Sequence, residues 1–288
     1  MNAKKSLGQN FLQDRSAVEH IAGLVPEGSP LVLEIGPGRG ALTHDLARRA
    51  RTFCLLEKDD ALFPIIRGMI GGTNHPSFFP FHGDALEFDF ERLWREPGLP
   101  PDTPLVVAAN LPYNVASQIL FRLLDLHRRI PRMALMFQKE VGLRLAALPG
   151  TKQYGNITVA AQNNYRVSIE LVLKPGAFRP APKVDSVVAL FDRRERALAC
   201  AGGADELARF HRLVQACFQH RRKTIENSLL IEGARIPFPG LGTREGVARA
   251  LSAAGIDPRT RAETLPPERF GALLTVLEAA RMKGDGKA

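Results

Sequence analysis

The sequence predicts an α/β fold: a doubly wound, mainly parallel sheet with an antiparallel hairpin at one edge, followed by a smaller all-helical domain. Three observations point there. Short apolar runs alternate with helix-period segments from about residue 30 to residue 148. Two β-rich stretches then follow, joined by a link too short for a parallel crossover. Beyond residue 195 the remaining apolar patterns have the helical period. The expected division is therefore residues 1–194 and residues 195–288.

In order along the chain, "LVLEIG" (31–36) reads as a strand and "ALTHDLARRA" (41–50) as a helix. "TFCLLE" (52–57) is the next strand, followed by a helical "ALFPIIRGMI" in which Pro64 is awkward. "SFFPFHGD" (77–84) is a weaker strand, because Pro80 removes a ladder donor. "PLVVAAN" (104–110), "VASQILFRLLDLH" (115–127), "RMALMFQ" (132–138) and "KEVGLRLAAL" (139–148) continue the alternation as strand, helix, strand, helix. "YGNITVAAQNNY" (154–165) suits a helix. "RVSIELVL" (166–173) and "VDSVVALF" (184–191), linked by "KPGAFRPAPK", form the expected edge hairpin. "CAGGAD" (200–205) reads as a linker into four helical segments, the last being "PERFGALLTVLEAARM" (267–282).

Composition narrows the class. With 45% hydrophobic and 24% charged residues the chain is neither disordered nor fibrous. No run approaches the ~20 apolar residues that span a bilayer, and no apolar leader follows Met1. Three widely spaced cysteines form no CxxC, and the histidines form no HExxH, so neither a disulfide framework nor a metal site is expected. A reducing cytoplasm is the expected location. The net charge of +9 is shared by the parts before and after residue 195, which suits a polyanionic partner such as nucleic acid.

Polar residues gather where the strands end. "EIGPGRG" closes the first strand with Gly36, Gly38 and Gly40, a GxGxG rather than the GxGxxG of dinucleotide sites. Without side chains the loop lets a ligand approach the backbone, and with Glu34 beside it the shorter spacing suits a nucleoside better than a pyrophosphate. Glu57 closes the second strand, where a carboxylate can take both hydroxyls of a ribose. Asp84 closes the third, within reach of an exocyclic amine, and Asn110 closes the fourth. Singly, Glu57 or Asp84 is as readily a helix N-cap or a solvated charge. In an open parallel sheet, however, ligands bind at the carboxyl ends of strands, and these four ends in succession describe a nucleoside cleft.

The motifs "GQNFL" (8–12), "EIGPGRGALT" (34–43), "LLEKD" (55–59), "GDAL" (83–86), "NLPYN" (110–114), "FQKEV" (137–141) and "FRPAPKVDS" (178–186) occur in one order. With "CFQHRRKTIENSL" (217–229) and "RAETLPPERF" (261–270) they make nearly the whole chain resemble the rRNA adenine N6-dimethyltransferases. The resemblance implies a Rossmann-like, S-adenosylmethionine-dependent methyltransferase sheet with a helical C-terminal domain that binds rRNA. It implies N6,N6-dimethylation of two adjacent adenosines near the 3′ end of 16S rRNA, leaving S-adenosylhomocysteine. The implied partner is the assembling 30S particle, whose biogenesis the enzyme would serve as a monomer.

The same resemblance assigns roles. The Asn110 side-chain oxygen and the Leu111 carbonyl accept the two N6–H bonds, Pro112 holds the turn, and Tyr113 stacks on the flipped base. Phe178 is expected on the opposite face of that base. Asn10 and the Leu12 backbone meet the methionine portion of the cofactor, with Gly36, Gly38, Glu57, Asp84 and Asn110 holding the rest. Gln9 and Phe11 close as a lid, Lys4 and Lys5 face RNA, and Arg221, Arg222 and Lys223 lie near its backbone. Two departures stand beside these contacts: "VASQ" where many relatives have "ISTP", and Arg39 where an apolar residue is commoner. Three other functions compete. One is a macrolide-resistance methylase of large-subunit rRNA, and another a non-catalytic RNA-binding assembly factor on the same scaffold. The third, a nicotinamide dehydrogenase, is disfavoured by the GxGxG spacing.

Overall fold

The computed structural model describes residues 10–73, 75–236, 238 and 240–285. Phe11–Leu12 form β1, Arg15–Gly23 α1, Ser29–Ile35 β2, Thr43–Ala47 α2, Ala50–Glu57 β3 and Phe63–Thr73 α3. Phe78–His82 (β4), Arg92–Arg95 (α4), Leu105–Asn110 (β5), Ala116–Leu124 (α5), Arg132–Gln138 (β6) and Lys139–Leu145 (α6) follow. Then come Asn156–Asn164 (α7), Tyr165–Leu173 (β7), Phe178–Arg179 (β8) and Ser186–Arg193 (β9). The last helices are Ala204–Phe218 (α8), Ile225–Glu232 (α9), Arg244–Ala253 (α10) and Pro267–Asp285 (α11).

The seven-stranded sheet has the order β4-β3-β2-β5-β6-β9-β7. Strands β4 through β6 are mutually parallel, and β9 runs antiparallel to β6. Helices cover parallel strands on both faces, so the central runs are apolar throughout: Leu31, Val32, Leu33, Leu105 and Val107 are buried. Pro80 is tolerated because β4 is an edge strand, and Pro64 because it stands in the first turn of α3, where its missing N–H has no partner to lose. Helix α2 is shorter than its pattern suggests. The chain from Ala50 is taken into β3, which pairs with β2 from Ser29 onward.

Four elements have no counterpart in the sequence reading: α1, α4 and the two-residue strands β1 and β8. Helix α1 is capped by Asp14, whose side chain accepts from the Ser16 and Ala17 N–H groups, and it buries Ala17, Val18, Ile21 and Ala22. Strand β1 pairs antiparallel with β8, inside the loop that joins β7 to β9.

The chain divides into two compact units: residues up to Gly142 with Arg166–Arg193, and Leu143–Tyr165 with Arg194 onward. The boundary thus differs from a simple cut after residue 194, because residues 143–165 join the helical unit. Tyr154 explains the difference. It is fully buried in that unit's core, and its hydroxyl donates to the Leu265 carbonyl at 2.9 Å. "CAGGAD" is no loose linker either. The Asn163 side chain accepts from the Ala199 and Cys200 N–H groups and donates to the Cys200 carbonyl, each at 2.9 Å. Cys54 lies in the sheet unit and Cys200 and Cys217 in the helical one, all three buried and unbridged.

Candidate active site

One cavity opens at the carboxyl ends of β2, β3 and β5 and beside the loop after β4. It is lined by Asn10, Leu12, Gly36, Gly38, Glu57, Asp84, Asn110, Leu111, Pro112 and Tyr113, so the expected cofactor and amine residues meet in one place. The β2–α2 turn places Gly36 and Gly38 on its wall with φ of +64° and +59°. At Gly38 a Cβ would also lie 3.0 Å from the Phe11 ring, so a side chain there would crowd the arm and make the ring shift.

Three carboxyls serve this cavity in different states. Glu34 is buried, and desolvation pushes its pKa up to about 8. The Thr43 hydroxyl, donating to Oε2 at 2.8 Å, pulls the other way, and the Glu57 charge adds to the rise. Glu34 is therefore protonated at neutral pH. Glu57 is also raised, chiefly by burial, while its oxygens accept from the Gly38 N–H (3.2 Å) and the Asp59 N–H (2.8 Å). Those bonds fix the carboxylate at the end of β3 and tie it to the glycine turn. At Asp84 burial pushes upward, but the Lys58 ammonium at 2.6 Å and the Leu86 N–H at 2.9 Å prevail and the pKa is lowered. Asp84 is therefore held as the carboxylate.

The NLPY turn is fixed at both ends. Asn110 Nδ2 donates to the Asn10 carbonyl at 2.9 Å. A carbonyl can only accept, so this contact turns Oδ1 away from the arm, and Oδ1 has no protein donor among the described residues. The Tyr113 hydroxyl makes a short hydrogen bond to Ser186 Oγ, at the start of β9, which anchors the half-buried ring on the cavity wall. Ser186 and Lys58 were not singled out in the sequence. The signal for Lys58 was its place directly after Glu57, while Ser186 lies 73 residues from its partner and gave none.

Phe178 is not on the cavity wall. It is buried to 4% exposure in the sheet unit's core and lies in register with Leu12 across the β1–β8 pair. The basic run lies in the turn between α8 and α9. Arg222 and Lys223 are exposed there, whereas Arg221 donates to the Lys152 carbonyl at 2.7 Å and pairs with Glu263 at 3.7 Å. Gln9, Lys4 and Lys5 lie outside the described residues. Among those residues no helix is long and apolar enough to cross a membrane.

A family model described as ribosomal RNA adenine dimethylase matches residues 1–270. The chain belongs to the ribosomal RNA adenine dimethylase family. It is 44% identical over 281 residues to the ribosomal RNA small subunit methyltransferase A of Geobacter sulfurreducens, covering 97% of each. Its identity to the protein of that name from Myxococcus xanthus is 41% over 275 residues, 95% of this chain and 90% of the other. Among solved structures, the 23S rRNA methyltransferase ErmE has a TM-score of 0.64 at 28% identity, covering 93% of this chain and all of that one. A dimethyladenosine transferase from Plasmodium falciparum shares the fold, with a TM-score of 0.75 at 23% identity, covering 94% of this chain and 98% of the other. The sheet is thus a Rossmann-like methyltransferase sheet, and the enzyme class is that of an rRNA adenine dimethyltransferase.

Proposed function

We propose that this chain dimethylates N6 of two adjacent adenosines near the 3′ end of 16S rRNA in the assembling 30S particle, using S-adenosylmethionine. It works as a monomer in the cytoplasm and contributes to small-subunit biogenesis. The likeness to small-subunit methyltransferases over nearly the full length supports the choice of RNA. The cavity's donor set supports the cofactor: side-chain-free backbone at Gly36 and Gly38, the fixed Glu57 carboxylate for ribose hydroxyls, and the ionised Asp84 for an amine. When bound, that group supplies a methyl carbon made electrophilic by its sulfonium.

The observation that carries the chemistry is the oriented Asn110. An adenine N6 amine is a poor nucleophile, because its lone pair is delocalised into the ring. Asn110 Oδ1, freed toward the cavity by the Asn10 carbonyl, accepts one N6–H, and the Leu111 carbonyl accepts the other. Two acceptors on one amine favour a pyramidal nitrogen and direct its lone pair at the methyl. Such alignment supplies on the order of 7–11 kcal/mol in favourable cases. Pro112 stiffens the turn, and Tyr113 gives a face for the flipped base, worth ~1–3 kcal/mol by stacking. The methylated amine is acidic enough to release its proton to water, so no strong base is required. Arg222 and Lys223 meet phosphates, and Arg221 braces the neighbouring backbone.

Mass spectrometry of rRNA tests this reading after unmodified small and large subunits are incubated separately with the protein and S-adenosylmethionine. N6,N6-dimethyladenosine in 16S rRNA is the expected product. Modification of 23S rRNA alone would favour the second reading, a large-subunit methylase, which the likeness to ErmE keeps in view. Absence of product from both would leave an assembly factor.

A further inference from the structure

The backbone of the NLPY turn and the ring it carries are fixed by different contacts. The Val115 N–H donates to the Pro112 carbonyl at 3.1 Å, closing a turn over Tyr113 and Asn114. That bond sets where the Tyr113 side chain starts. It does not set the pitch of a ring that still rotates about its side-chain torsions. A half-buried tyrosine at a cavity wall can offer its face or its edge, and only the face stacks on a base.

The far end of the ring is held instead. The Tyr113 hydroxyl bonds to Ser186 Oγ, and Ser186 is fully buried at the start of β9. In the sheet, β6 stands between β9 and β5, the strand that leads into the turn. Pairing fixes the serine: it lies opposite Gln138 of β6, and the preceding Asp185 carbonyl accepts from the Lys139 N–H at 2.9 Å. The Asp185 carboxylate also takes the Lys174 ammonium at 2.9 Å and that of Lys139 at 3.4 Å. Burial raises the Tyr113 pKa, so at neutral pH the bond joins two neutral hydroxyls.

We propose that Ser186 is a positioning residue for the reaction: its hydroxyl tethers Tyr113 to the sheet and so fixes the plane on which the target base lies. This rests on the role given to the Tyr113 ring above. Ring and hydroxyl then have separate duties, the ring toward substrate and the hydroxyl toward the protein.

A merely structural Ser186 would act alike whatever stands at position 113, whereas a tether does nothing without the hydroxyl at its other end. A double-variant cycle separates the two. Ser186→Ala and Tyr113→Phe remove the same bond, and each should slow single-turnover methylation of small subunits about three- to tenfold, the factor of one neutral hydrogen bond. Tyr113→Phe/Ser186→Ala should stay within about twofold of the slower single variant, because removing both partners leaves no unpaired buried hydroxyl. A parent-like rate in Ser186→Ala would overturn the proposal. So would a further three- to tenfold loss when the two changes are combined.

The tether can also be read without substrate. The chain has three tyrosines, so NMR of isotope-labelled tyrosine can follow hydroxyl hydrogen exchange, the Tyr113 signal being the one lost in Tyr113→Phe. Ser186→Ala should quicken that exchange about tenfold or more and leave the backbone amides of β5 and β9 within about twofold of the parent. Unchanged exchange at Tyr113, or equal quickening of those amides, would overturn the proposal. If Ser186→Ala does not fold, Ser186→Cys keeps nearly the same volume with only a weak hydrogen bond, and parent-like rate and exchange there would overturn it equally. Failure of the parent protein to methylate any rRNA would strike the functional reading, while hydroxyl exchange still decides the tether.

Discussion

Removing the Asn110 side chain tests the centre of the mechanism. Asn110→Ala deletes the acceptor for the amine and the donor to the Asn10 carbonyl at 2.9 Å. As N6 acquires positive charge in the transition state, its bond to Oδ1 becomes charge-assisted, and such bonds contribute about 1.5–3 kcal/mol. At about 1.4 kcal/mol per factor of ten, kcat falls roughly 10- to 150-fold from this bond alone. The arm loses one hydrogen bond, a stability cost of about 1 kcal/mol. Base stacking on Tyr113 and the phosphate contacts are untouched, so RNA affinity should change little. Asn110→Asp sharpens the test. It keeps an acceptor but sets an oxygen against the Asn10 carbonyl, so it should be at least as impaired. The assay is single-turnover methyl transfer to saturating small subunits, with RNA binding measured separately by filter retention. A kcat within a factor of two of the parent, or a loss that appears wholly in RNA binding, refutes the amine contacts.

Glu57→Gln keeps the size of the side chain but loses its charge, and should weaken S-adenosylmethionine binding about tenfold by calorimetry; unchanged affinity would remove Glu57 from the ribose. Glu34, held at about 8 when folded and near the ordinary 4.5 when unfolded, binds its proton more tightly in the native state. Its contribution therefore favours folding at low pH and declines as pH rises from about 4.5 to about 8, with a slope approaching about 1.4 kcal/mol per pH unit. Urea unfolding of Glu34→Gln across that range should show a flatter profile than the parent, and parallel profiles would contradict the shift. Arg222→Ala/Lys223→Ala should weaken rRNA binding and reduce the steepness of its salt dependence by about 1 for each cation lost, whereas an unaltered slope would place phosphate contacts elsewhere.

Local pattern made the sheet and the four polar strand ends legible. Each parallel strand was a separate apolar run, and the polar or glycine residue at or just past its end was the one lining the cavity, so Gly36, Glu57, Asp84 and Asn110 were found together without knowledge of any contact. What stayed hidden was non-local. Tyr154 draws its segment into the helical unit through Leu265, 111 residues away, and nothing near Tyr154 announces it. The two-residue strands β1 and β8 are too short to show a period, so the seat of Phe178 could not be inferred: an aromatic in a Pro/Gly loop looks alike whether it packs inward or meets a base. The charge states were also out of reach. Glu34, Glu57 and Asp84 are three similar letters, and only their surroundings make one a protonated donor and another an anion.

The buried thiols bear on handling the protein. Desolvation lifts Cys54 and Cys217 to about 12 and Cys200 to about 11, so none offers a thiolate to alkylating agents while the chain is folded. Labelling should wait on opening, and the sites report separately: Cys54 becomes reactive when the sheet unit loosens, Cys200 and Cys217 when the helical one does. Timed alkylation followed by peptide mapping would then show which half gives way first, with no engineered probe, and would leave the outer surface clear for a single introduced cysteine to carry a dye.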